Sequence, residues 1–82
     1  MEISVEISYY SLTDDYKKPV KEFLGALQTS NNVSIEPGTM SSVITGQYDD
    51  VMKLLDETIK IFMDKYPSVF TLKISNACKT CK

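Results

Sequence analysis

The sequence predicts an α+β sandwich: a four-stranded antiparallel sheet with two helices on one face. Three observations carry that expectation. The first residues alternate apolar and polar with a period of two. Two later segments repeat apolar residues at helical spacing, and each helical segment lies between strand-like runs. With 82 residues the chain is long enough for one domain and one modest core.

Ile3, Val5, Ile7 and Tyr9 alternate with Glu2, Ser4, Glu6 and Ser8, giving a strand with one apolar and one polar face. Its early start suggests a central position. Thr13, Asp14 and Asp15 offer short oxygens for capping and negative charge at the positive end of a helix dipole. Proline is tolerated in a first helical turn, so Pro19 places the helix start near Lys17 or Lys18. Tyr16, Val20, Phe23, Leu24 and Leu27 form its apolar stripe. Gly25 costs about 1 kcal/mol in a helix interior, a cost that a close approach to the sheet would justify. Thr29 to Asn32 supply the turn.

Val33 and Ile35 begin a second strand that Pro37-Gly38 ends, and the short connection predicts a hairpin with the third strand. The third strand runs to about Gly46 and carries a cluster of small hydroxyl residues: Thr39, Ser41, Ser42 and Thr45. Which of its faces meets the helices is left open. Val43 argues for one parity, and Ile44 with Met40 for the other. Asp49 is placed to cap a second helix, whose stripe is Val51, Leu54, Leu55, Ile59, Phe62, Met63 and Tyr66, with Met52 alone leaning off it. Pro67 closes that helix, and Val69 to Ser75 is a final alternating strand. The order βαββαβ is the ferredoxin-like split βαβ arrangement. Right-handed crossovers put both helices on one face, leaving the other to water, a ligand or a second copy.

Composition excludes several function classes. The chain has nine lysines, no arginine and no histidine, with a net charge of -2. Without arginine, and with its lysines scattered, nucleic-acid recognition is not expected. Without histidine the commonest general base and metal ligand are missing, so neither catalysis nor a metal or other cofactor is expected. Glu2 and Glu6 share one side of the first strand and are read as an exposed or interface-facing acidic pair. No apolar run reaches the roughly 20 residues needed to cross a bilayer, and no membrane role is expected. The N-terminus lacks the basic segment of a signal peptide, which places the protein in the cytoplasm, with a prokaryotic source expected from its small size. Cys78-Lys79-Thr80-Cys81 supplies two thiols, too few for a structural zinc site within one chain. The domain is therefore assigned to residues 1–76, and 77–82 to a flexible tail.

The segments Glu6–Leu12, Thr13–Tyr16 and Pro19, then Met40-Ser41-Ser42, Gly46-Gln47-Tyr48-Asp49 and Val51-Met52, resemble the YkoF-related family of small thiamine-binding proteins. The resemblance covers residues 2 to about 75. It implies the ferredoxin-like fold, non-catalytic binding of thiamine or its hydroxymethylpyrimidine part as a carrier or sensor in uptake and salvage, and dimers or tetramers formed through sheets. Ser42 stands where the family usually has threonine and keeps the hydroxyl. Thr45 stands where many relatives have glutamate, which removes a carboxylate. Thiamine needs a few directed polar groups, an aromatic wall and preferably a nearby negative charge. The hydroxyl cluster can supply the first, Tyr9, Tyr10 and Tyr48 the second, and Glu6 with Glu2 the third. The candidate binding set is Glu6, Ser8, Tyr9, Thr39, Met40, Ser41, Ser42, Thr45 and Tyr48. The alternative is an assembly or regulatory module that uses its open sheet face for protein pairing, with serine and threonine simply populating that face.

Overall fold

In the computed structural model, residues 1–15, 17–28, 32–38 and 41–77 are described. The expected element order is present: β1 (Glu2–Ser11), α1 (Lys17–Leu27), β2 (Val33–Pro37), β3 (Ser42–Gln47), α2 (Tyr48–Lys65) and β4 (Ser68–Ser75). The strands form one antiparallel sheet in the order β2-β3-β1-β4, so β1 and β3 are central. The fold is the ferredoxin-like α+β sandwich. The proposed tail, Cys78 and Cys81 included, lies outside the described residues except for Ala77.

Register resolves the parity of β3. Ile3 pairs with Gly46, Val5 with Ile44 and Ile7 with Ser42. Directly opposed residues point to the same sheet face, so Ser42, Ile44 and Gly46 look toward the helices with the buried face of β1. Val43 and Thr45 share the open face with Ser4 and Glu6. Gly46 permits a close approach: a Cβ there would lie 3.0 Å from Val33 Cγ1 and 3.3 Å from Val51 Cγ2. This is where the sheet meets the first turn of α2.

The core comprises Ile3, Val5, Ile7, Phe23, Leu27, Ile44, Val51, Leu55 and Phe62. An aromatic cluster forms its β4 side. Tyr9 stacks on Phe70 at 4.7 Å, and the Phe23 ring lies 4.9 Å from Tyr9 and 5.5 Å from an edge-on Phe62. These separations lie in the range where ring quadrupoles add to burial.

Three local expectations are corrected. The second helix starts two residues earlier than a cap at Asp49 would allow. Gln47 is the N-cap residue, without a side-chain cap bond, and Asp49 and Asp50 occupy the first turn, where their charge still complements the dipole. On α2 the buried seam is Val51, Leu55, Thr58 and Phe62. Met63, one residue and about 100° past Phe62, is turned outward and is 53% exposed. Met52 packs against the core instead, so the two methionines exchange their expected roles. Gly25 makes no close approach: a Cβ there would meet nothing within 4 Å. Its helical cost is therefore uncompensated. Gly25→Ala is expected to raise unfolding stability by about 0.5–1 kcal/mol in a urea titration.

One polar linkage ties the two helices. Tyr66 donates its hydroxyl to Glu22 Oε1 at 2.7 Å, and Lys65 Nζ lies 3.4 Å from the same oxygen. The hydrogen bond from Tyr66, with Lys65 beside it, holds the Glu22 carboxyl below its ordinary range. Accepting charge at Glu22 pushes the Tyr66 phenol up. The depressed carboxyl contributes stability above its unfolded-state value and loses it as pH falls through the folded one. The raised phenol contributes below its unfolded-state value and loses it as pH rises through the folded one. Melting curves of Tyr66→Phe and wild type should therefore differ most between roughly pH 5 and pH 9 and converge as pH falls through the lowered Glu22 value.

Candidate functional site

The sheet is uneven at one end, and that unevenness makes a cleft. Pairing of β1 with β3 ends at Ile7 and Ser42, whereas β1 continues to Ser11 with β4 still beside it. Among the described residues, the β3-facing edge of β1 beyond Ile7 has no strand partner. Helix α1 runs alongside, and the space between is a cleft of about 540 Å³, within the range that holds small ligands. Ile7, Tyr9 and Phe23 line its inner wall, Val20 and Leu24 its helix wall, and Gly38, Ser41 and Ser42 its end at the β2–β3 turn. Lys17, Lys21, Tyr10 and Ser11 also line it. Gly38 closes that turn by donating its N–H to the Ser41 carbonyl at 2.8 Å.

Ser42 is the most informative side chain here. It is only 4% exposed, faces the helix layer and lines the cleft. Among the described residues no side-chain hydrogen bond engages its hydroxyl. A serine on a central strand, itself buried and bordering a cleft with apolar walls, can offer its hydroxyl as a directed polar group to an incoming donor or acceptor.

The structure divides the candidate residues between two faces and two ends. Tyr9, Ser41 and Ser42 meet at the cleft. The faces of the Tyr9 ring are engaged by Phe70 and Phe23, and its hydroxyl lies 3.1 Å from Ser68 Oγ. Tyr9 therefore presents a wall rather than a free stacking face. Glu6, Ser8 and Thr45 belong to the open sheet face. There Ser4 Oγ and Thr45 Oγ1 lie 3.4 Å apart, and Glu6 pairs with Lys73 at 3.7 Å. Ser41 links this face to the cleft, because its hydroxyl donates to Glu6 Oε2 at 3.3 Å. Tyr48 opens α2 at the opposite end of β3 and is exposed. Thr39 and Met40 lie outside the described residues. Ser11, Lys17, Val20, Lys21 and Leu24 line the cleft without having been singled out from the sequence. Only an α1 docked beside the free end of β1 brings them together.

No helix among the described residues is long and apolar enough to cross a membrane. Among the described residues no group of three or more acidic, cysteine or histidine side chains is gathered to hold a metal ion.

No family model and no curated relative matches the chain. Solved structures do. Protein SP2199 from Streptococcus pneumoniae superposes with a TM-score of 0.87 at 19% identity, over 98% of this chain and 91% of that one. TM0486 from Thermotoga maritima, described as a candidate thiamine biosynthesis/salvage protein, superposes at 0.81 with 14% identity, over 92% and 83%. A domain of unknown function, DUF77, from Bacillus cereus gives 0.77 at 18% identity, over 96% and 79%. At these identities the likeness extends to the fold.

Proposed function

We propose that this protein binds thiamine or its hydroxymethylpyrimidine part without chemistry, as a carrier or sensor in thiamine uptake or salvage. The observation that carries this reading is the cleft between α1 and the C-terminal part of β1, lined in part by the buried residue Ser42. An aminopyrimidine is flat and presents donors and acceptors along one edge. It suits a site with apolar walls and a hydroxyl in its lining. The fold likeness to a candidate thiamine biosynthesis/salvage protein supports the same reading. Glu6, joined to the cleft through Ser41, is the acid nearest to serve a cationic ligand. In this reading the protein works in the cytoplasm.

A second reading rests on a different surface. Tyr10 and Val69 oppose each other on the open face of β1 and β4 and are 49% and 47% exposed. An apolar pair beside a row of hydroxyls suits sheet-to-sheet association of two or four copies, which would also help so small a core. The two surfaces meet at Tyr10, which lines the cleft and also stands opposite Val69.

Isothermal titration of the full chain with thiamine and with hydroxymethylpyrimidine tests the first reading. Saturable heat with either compound supports it. Silence with both at millimolar concentration overturns it and leaves assembly as the function.

A further inference from the structure

We infer that the cleft selects an aminopyrimidine carrying a phosphate monoester over the free alcohol or the thiazolium cation. The inference rests on the binding reading above and names the form of ligand that this site takes.

The argument is one of charge. The cleft lining contains Lys17 and Lys21 and no carboxylate. At i and i+4 the two lysines lie on the same side of α1, one turn apart. They stand at the start of the helix, where the backbone dipole is already positive. Helices ordinarily place acids there, and α2 does so with Asp49 and Asp50 while carrying Lys65 in its last turn. Helix α1 has no acid in its first turn and carries Lys17 and Lys18 there, against its dipole. Asp14 and Asp15 precede the helix, but both are exposed and neither lines the cleft. Among the described residues the ion pairs are Lys65 with Glu22 and Lys73 with Glu6, so neither cleft lysine is neutralised.

The cleft lining thus combines two kinds of group. Ser42, Ile7 and Gly38 come from the sheet and the end of β2, suited to a flat polar ring. Lys17 and Lys21 come from the N-terminal part of α1, suited to a dianion. A thiazolium placed beside these lysines would meet like charge. A phosphate there would meet charge-assisted donors, and the volume of about 540 Å³ accommodates ring and phosphate together.

The test is calorimetric titration of the full chain with hydroxymethylpyrimidine, its monophosphate and inorganic phosphate. The monophosphate is expected to bind at least tenfold more tightly than the alcohol at low salt, with the advantage shrinking as salt rises. Lys17→Ala with Lys21→Ala should bring the two affinities together, the monophosphate losing most of its advantage over the alcohol. Lys53→Ala with Lys60→Ala, which removes equal charge from the exposed face of α2, should preserve the preference. Equal affinities in the wild type, or an equal loss in both double variants, would overturn phosphate selection while leaving the binding reading standing. Inorganic phosphate binding as tightly as the monophosphate would reduce the site to a bare anion trap and overturn it too. No heat from either pyrimidine, with thiamine silent as well, would remove the binding reading itself.

Discussion

Phe23→Ala is expected to lose about 3–5 kcal/mol of folding stability, which for a chain of this length is a large share of the total. The ring is buried between both layers. It meets Tyr9 at 4.9 Å, Phe70 at 5.4 Å and Phe62 edge-on at 5.5 Å. Truncation removes three ring contacts together and opens a void where β1, β4 and both helices converge. The cluster cannot close it readily. Tyr9 is anchored by its hydroxyl on Ser68 Oγ, and that serine donates in turn to the Tyr66 carbonyl at 2.9 Å. A thermal melt should show a midpoint roughly 12–40 °C below wild type. A fall of only a few degrees would mean that the helices repack over the gap and that the aromatic cluster is not the keystone of the sandwich. Phe62→Ala should behave similarly. Ile61→Ala, at an exposed position on the same helix, should change the midpoint little.

The element order was legible in the sequence because period and punctuation agree along most of the chain. Pro19 marks the start of α1, Pro37-Gly38 ends β2 and Pro67 follows α2, each a residue whose backbone restricts what can continue through it. The parity of β3 was not legible. Val43 and Ile44 are adjacent and both apolar, so alternation alone cannot assign them; pairing with β1 decides it by opposing Ile44 to Val5. The candidate site was half legible for the same reason. Ser41 and Ser42 were visible as small hydroxyl residues, but neighbours in a strand point to opposite faces, and only register separates the cleft-facing Ser42 from the open-face Thr45. Tyr48, close in sequence to Thr45, stands at the far end of the strand from the cleft. Lys17 and Lys21 read as the wet face of a helix. That they line one cleft with Tyr9 and Ser11 is a tertiary event, produced by the docking of α1 along β1, and no local pattern signals it.

Ser42→Leu is expected to abolish binding of thiamine and hydroxymethylpyrimidine without unfolding the protein. The two readouts answer different questions. In a tightly filled core a serine-to-leucine change would overpack and cost about 1–3 kcal/mol. Here the side chain borders an open cleft beside Ile7 and Phe23, so leucine can extend into that space and bury apolar surface. The melting midpoint should stay level or rise, while the titration signal disappears because the ligand's place is filled. Ser42→Ala isolates the hydroxyl: affinity should fall about tenfold, the worth of one hydrogen bond made to a desolvated group, with stability nearly unchanged. Thr45→Val supplies the contrast. Its hydroxyl faces Ser4 on the opposite side of the sheet, so ligand affinity should stay within about twofold, as expected for a position that makes no contact with the ligand. If Ser42→Leu instead melts far below wild type, the space is not open to a side chain and cannot admit a vitamin. If Thr45→Val weakens binding as much as Ser42→Ala does, the ligand sits on the open face and the cleft is not its site.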